Sequence, residues 1–182
     1  MSAQIAETLI FDEAALPMCS NPLDAWLSEQ HIVLRTDRSS LCCLRGYLGT
    51  WQVRRGHLYL VALRAYGGRG VVQRPGLQAS SELSLAGLFP EAHGPVCADW
   101  YSGRLRCPLG EVLKYRDTGY DSLYEQDMLV DIARGRIERI VFRHNDVEPT
   151  QMLTPSVVLQ WQGAMLEIVG VPATRRRIQL VP

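Results

Sequence analysis

Cys43-Leu44-Arg45-Gly46-Tyr47-Leu48-Gly49-Thr50-Trp51-Gln52-Val53-Arg54-Arg55-Gly56-His57-Leu58-Tyr59-Leu60-Val61-Ala62-Leu63 reads as two strands joined by a tight Arg55-Gly56 turn. A two-residue loop pairs Arg54 with His57, Val53 with Leu58 and Trp51 with Leu60, giving the hairpin a large apolar side to set against a core. A type I turn with a bulge at Gly56 is the alternative, because Arg is not an ideal residue at a positive-φ position. Trp51 and Leu60 read as core, and Gly46, Gly49 and Gly56 as backbone requirements; the apolar face explains neither Arg45 nor Tyr47.

Working outward, Glu7 to Phe11 alternates weakly as a strand, Asp12-Glu13 turns the chain, and Ala14 to Met18 returns beside it. Ser20-Asn21-Pro22-Leu23-Asp24-Ala25-Trp26-Leu27 predicts a short helix, with Ser20 or Asn21 as cap, Pro22 at the first helical position and Asp24 in the first turn. Beyond the hairpin, about 66–84 reads as a mobile loop with one short strand at Val71-Val72, and Ser84 to Leu88 as a helical turn. The second half is mostly strand: Val96 to Trp100, Arg104 to Cys107, Leu123 to Ile132 and its return Arg136 to Arg143 through an Arg134-Gly135 turn. A C-terminal hairpin follows at about 156–182, Ser156 to Trp161 against Ala164 to Val169, with an added edge strand at Arg175 to Val181. These signals predict a single mainly β domain over 1–182: a strand-dominated sandwich or open barrel of antiparallel hairpins with one or two short helices.

Composition narrows the function classes. The 182 residues are 47% hydrophobic and 21% charged, which suits a globular domain with a real core and excludes wholesale disorder. Lys+Arg and Asp+Glu both total 19, so no bulk positive charge recommends nucleic acid or an anionic membrane surface. Arg175-Arg176-Arg177 and Arg54-Arg55 are short basic clusters beside aromatic-bearing strands, insufficient alone for a nucleic-acid reading. Lys114 is the sole lysine, and an arginine-rich surface suits bidentate contacts with carboxylates on a partner. The five cysteines show no metal-type spacing and the adjacent Cys42-Cys43 pair is poor disulfide geometry, so a reducing compartment is expected. The start of the chain has neither the basic region nor the apolar run of a signal peptide, and no window has the length of a membrane span. The expectation is a soluble cytoplasmic protein with no cofactor, and with no metal, since His31, His57, His93 and His144 are widely separated.

Two features carry chemistry. In Tyr124-Glu125-Gln126-Asp127-Met128-Leu129-Val130-Asp131, period-two alternation puts Glu125, Asp127, Leu129 and Asp131 on one strand face. Such a row is ordinarily a solvated face countered by arginines such as Arg136, Arg139 and Arg143; its sharper uses are partner binding or acid/base work. Asp99, before Trp100-Tyr101-Ser102-Gly103, is the best single acid for a site, with turn capping as its structural role. No nucleophile elbow, P-loop or dinucleotide fingerprint is present, and Gly67-Gly68-Arg69-Gly70 lacks the helix and Lys/Ser pair that make a phosphate loop specific.

The pieces Arg45-Gly46-Tyr47-Leu48-Gly49-Thr50-Trp51 and Cys97-Ala98-Asp99-Trp100-Tyr101-Ser102-Gly103, together with Ser20-Asn21-Pro22-Leu23 and Gly119-Tyr120 through Tyr124-Glu125, occur in one order over Met18 to Ile140. In these pieces the chain resembles an uncharacterised bacterial protein family with W-R-G-Y-x-x-T-W-E-I and F-A-D-W-F-S-G stretches. Leu44 stands where that pattern has Trp and Gln52 where it has Glu, as in a divergent member. The resemblance implies no activity, and both the Tyr66–Ser84 loop and the tail after Asn145 lie outside it.

The preferred reading is a cytoplasmic protein-binding module, an immunity protein that neutralises a bacterial toxin by direct binding, using Arg45, Tyr47, Asp99, Tyr101, Glu125, Asp127 and Asp131. Its rival is a hydrolase-like enzyme with a spatially assembled acidic site built from Asp99, Glu125 and Asp127. A third reading is a homo-oligomer that pairs through exposed edge strands.

Overall fold

The computed structural model describes residues 2–36 and 40–145, and the backbone of two strands at 157–162 and 165–168. In chain order the elements are β1 (Glu7–Phe11), β2 (Ala14–Met18), α1 (Pro22–Glu29), β3 (Val33–Thr36), β4 (Tyr47–Arg54), β5 (His57–Ala65), β6 (Gly70–Gln73) and β7 (Ser81–Glu82). There follow α2 (Leu85–Leu88), β8 (Val96–Cys97), β9 (Gly103–Lys114), β10 (Leu123–Ala133), β11 (Arg136–His144), β12 (Val157–Gln162) and β13 (Met165–Ile168). The fold is mainly β, and among the described residues its sheets do not close into a barrel.

The β4–β5 hairpin has the expected register: Arg54 opposite His57, Val53 opposite Leu58, Trp51 opposite Leu60. Arg55 and Gly56 both take positive φ, 47° and 75°. That is the type I′ signature, matched to strand twist, and it excludes a type I turn, which would keep Arg55 at negative φ. Holding a non-glycine residue at positive φ costs about 1 kcal/mol. Full burial of Trp51, Leu58 and Leu60 outweighs that cost, at about 2 kcal/mol per large side chain. The register shifts by one residue between Thr50 and Trp51, where β5 carries the extra residue, Val61, as a bulge.

Arg134-Gly135 repeats the device between β10 and β11, with φ of 46° and 75°. The two turns lie side by side. Leu58 N donates to Gly135 O and Ile137 N to Gly56 O, both at 2.8 Å, so the first hairpin is stitched to the second at His57 and Arg136. Gly135 has no room for a side chain: a Cβ there would sit 2.7 Å from Ala98 O.

The large sheet runs β13-β12-β11-β5-β4-β1-β2, with β10 and β9 branching from β11 and β8 pairing β5. Beside the antiparallel hairpins one pairing is parallel: β1 lies along β4, Leu9 beside Trp51. The reason is connectivity, since α1 and β3 intervene and return the chain in the same sense. The 66–84 stretch also holds more than one short strand. β6 and β7 form a three-stranded sheet with β3, in the order β3-β6-β7, and Val72 and Leu83 are buried beneath it. β12 and β13 pair antiparallel, as expected of the final hairpin; Arg175 to Val181 lies outside the described residues.

The helix at Pro22 forms where its start signals place it, but Asn21, at the N-cap position, makes no side-chain cap. Asn21 Oδ1 instead accepts from the Tyr120 hydroxyl, and Ser20 Oγ accepts from Arg106 N, so both polar groups tie the helix start to the second half of the chain. Trp26 packs on Phe89 and Trp100 with ring centroids 4.6 and 5.7 Å away, while Leu27 is buried.

Candidate functional site

Glu7 is the least expected residue in the core. Strand alternation in β1 places it on the same side as buried Leu9, so the carboxylate enters the protein beside β4. The Trp51 indole N–H donates to Glu7 Oε2, and Arg45 Nε lies 3.1 Å from Oε1. That ion pair is close but poorly aimed: neither Arg45 Nε nor Glu7 Oε1 makes a hydrogen bond. Burial therefore dominates and pushes the Glu7 carboxyl up to about 7, against the lowering pull of Trp51 and Arg45. Gly49 makes the space, since a Cβ at that position would collide with the Glu7 carboxylate.

The rest of the Arg45 guanidinium is well used. Nη1 donates to the Tyr120 hydroxyl at 2.9 Å and Nη2 to Ile5 O at 2.8 Å, leaving the side chain 6% exposed. The Tyr47 hydroxyl donates to Asp24 Oδ1 at 2.5 Å; burial and the Glu7 and Asp24 charges raise its pKa far above the ordinary tyrosine value. Burial also pushes the Tyr120 phenol up to about 12. Arg106 extends the network, with Nη1 on Tyr120 O, Nη2 on Ser122 O and Nε on Asp127 Oδ1 at 2.8 Å. Three of the four sequence pieces that carry the resemblance thus meet through Asn21, Arg45 and Tyr120. The fourth joins at the helix, where the Trp100 indole donates to Pro22 O.

Above this network lies an open groove of about 630 Å³, whose walls include Asn21 and Asp24, Val33, and Leu44 with Arg45 and Tyr47. Its rim carries apolar side chains in solvent: Val33 is 51% exposed and Leu44 65%. A second cleft, about 550 Å³, shares Val33 and is lined by His31, Arg35, Arg74 and Leu77.

The acidic strand face has a different character from a solvated row. Asp127 is fully buried, held by Arg106, by Arg143 Nη2 at 2.6 Å and by Asn145 Nδ2 at 2.9 Å. Burial opposes its charge, yet the hydrogen bonds from Arg143, Asn145 and Arg106 hold the carboxyl below the usual range. Asp131 is partly exposed between Arg104 and Arg139, whose hydrogen bonds likewise lower its pKa. Glu125 is exposed and accepts from Glu111 N. Of the arginines expected to counter this face, Arg139 and Arg143 do so, while Arg136 pairs with Glu138; Arg104 and Arg106 supply the rest from β9.

Asp99 is exposed beside the Gly135 turn, and Tyr101 is half-buried with its hydroxyl donating to Arg104 O. Arg45 and Tyr47 come together with each other and with the groove; Asp99, Glu125, Asp127 and Asp131 line neither cleft. Sequence reasoning missed Glu7, Asp24, Tyr120 and Arg106 as members of a site. For Glu7 a signal existed: an acid two residues from Leu9 on one strand face. Arg106 and Tyr120 gain their roles only through long-range packing. Among the described residues, no group of three or more His, Cys, Asp or Glu is placed to hold a metal ion, and no helix is long and apolar enough to cross a membrane. No protein-family model, curated protein or solved structure matches the chain.

Proposed function

We propose that the chain is a protein-binding module acting in the bacterial cytoplasm, an immunity protein that neutralises a toxin by direct contact through the groove face. The observation that carries this reading is the open groove rimmed by exposed Val33 and Leu44 over a polar network whose groups are committed to one another. Exposed apolar side chains clustered at a groove favour a macromolecular partner. The buried network beneath fixes the groove wall, as a recognition surface needs, because preorganised side chains lose little entropy on binding.

The hydrolase alternative has less support. Asp127 is buried and charge-compensated, and Tyr47 holds its proton too tightly to act as a base. Glu7 titrates near neutrality but is sealed between Trp51 and Arg45. The test is co-expression with the product of the neighbouring gene. A stoichiometric complex and rescue of the cells from that product support the reading. Absence of a complex, with a hydrolytic turnover that collapses in Asp99→Asn, contradicts it.

A further inference from the structure

We propose that Arg54, His57 and Arg136 form an anion site for a phosphate group, on the sheet face where the two hairpins meet. The site is separate from the proposed partner surface and lines neither cleft.

Strand register builds the row. Arg54 stands opposite His57 across β4 and β5, and His57 stands opposite Arg136 across β5 and β11. Directly opposed residues project from the same face, so three cation-forming side chains occupy consecutive places about 5 Å apart at Cβ. Strand pairing ordinarily avoids such a row, because opposed like charges repel. Neither turn demands it: Arg55-Gly56 and Arg134-Gly135 take the positive φ values, while Arg54 and Arg136 are exposed beside them. The bonds from Leu58 N to Gly135 O and from Ile137 N to Gly56 O hold the three backbones at this spacing.

The arginines are steadied without being used up. Arg54 Nε donates to Gln52 Oε1 at 2.5 Å, and Arg136 Nε lies 3.3 Å from Glu138 Oε1, each along its own strand. Among the described residues, no hydrogen bond engages the Nη groups of either arginine. His57 Nδ1 lies 3.1 Å from Arg55 O, a carbonyl that can only accept, so Nδ1 carries a proton and Nε2 is left for a ligand. Two guanidinium forks and one ring nitrogen exceed what a carboxylate needs, since one fork satisfies it. A phosphate group brings three acceptor oxygens and nearly twice the charge. Nε2 serves it in either protonation state, donating to P–O⁻ as N–H or accepting from P–OH as a lone pair. The surrounding charge has the right sign. Exposed Arg55 and Arg134 sit on the adjoining turns, and Arg104 and Arg139 together outnumber the Asp131 between them. Against these stand Glu138 beside Arg136, and exposed Asp99, which forms no ion pair among the described residues.

Calorimetric titration of the full chain at low ionic strength, with inorganic phosphate and with phenyl phosphate, tests the site; acetate at matched ionic strength is the control. The proposal expects saturable binding of at least one phosphate at millimolar concentration or below, and acetate binding at least tenfold weaker. Phenyl phosphate bound as tightly as inorganic phosphate, or more tightly, assigns the site to a phosphoryl group on a larger molecule. A preference for inorganic phosphate assigns it to the free anion. Arg54→Gln/Arg136→Gln should weaken phosphate binding at least tenfold. Arg64→Gln/Arg116→Gln, which removes the same charge from exposed positions elsewhere, should change it less than twofold. His57→Gln, with an expected loss of threefold or more, carries the test should the arginine pair alter the circular dichroism. No saturable phosphate binding, equal binding of acetate, or equal weakening by the two arginine pairs would overturn the proposal.

Discussion

Glu7 stands at the centre of the residue-scale account because its ionisation opposes the fold that contains it. Its pKa is about 7 in the folded protein against about 4.5 for an unperturbed glutamate. The folded state therefore holds a proton that the unfolded chain has released between those values. The stabilisation from neutral Glu7 is fully present below about pH 4.5 and is lost as pH rises through about 7, a change on the order of 3 kcal/mol. Asp127 and Asp131 work in the other direction: their lowered pKa values stabilise the fold above the ordinary carboxylate range, and that contribution is lost as pH falls through it. Urea midpoints should thus fall between pH 5 and 7, and Glu7→Gln should flatten that slope; an unchanged slope in the variant would contradict the assignment. Gly135 supplies a second residue-scale prediction. Gly135→Ala combines a φ of 75° with a Cβ 2.7 Å from Ala98 O. The expected loss is about 2–3 kcal/mol by chemical denaturation, and a loss below 0.5 kcal/mol would be inconsistent with that packing.

At the scale of elements, strands announced themselves where local chemistry decides them. Arg55-Gly56 and Arg134-Gly135 mark their turns in sequence, and the alternation around Trp51 and Leu60 sets the register of the first hairpin. What stayed hidden depends on partners distant in the chain. The acids of β10 share a face as their period requires, but only the arrival of Arg106 from β9 and Arg143 from β11 decides that Asp127 is buried while Asp131 is not. Similarly, 66–84 reads as a loop until β3 supplies the strand on which β6 pairs. The burial difference makes a comparison. Asp127→Ala leaves Arg106 and Arg143 without their carboxylate and frees the Tyr120–Ser122 loop that Arg106 ties down, with an expected cost of about 3–5 kcal/mol. Asp131→Ala, whose carboxylate faces solvent-exposed arginines, should cost less than about 1 kcal/mol. Similar denaturation midpoints for the two variants would contradict this partition.

For the whole molecule, the mainly β class follows from the many short strands and glycine turns, whereas the parallel β1–β4 pairing and the separate β3-β6-β7 sheet follow from topology that no local pattern encodes. The same holds for the candidate site. Arg45 and Tyr47 stood out because the apolar face of their strand did not explain them, and both prove to wall the groove. Glu7, Asp24 and Tyr120, which hold them in place, come from three other parts of the chain. A buried polar network thus lies beneath an apolar-rimmed groove face, the proposed partner surface. Calorimetric titration of the neighbouring gene's product with Val33→Glu/Leu44→Glu and with Asp131→Ala/Arg139→Ala tests that assignment most directly. The account predicts at least a tenfold loss of affinity for the groove pair and less than a twofold change for the sheet-face pair, both at unchanged secondary structure. Full affinity in the groove pair, with the loss falling on the sheet-face pair, would contradict it.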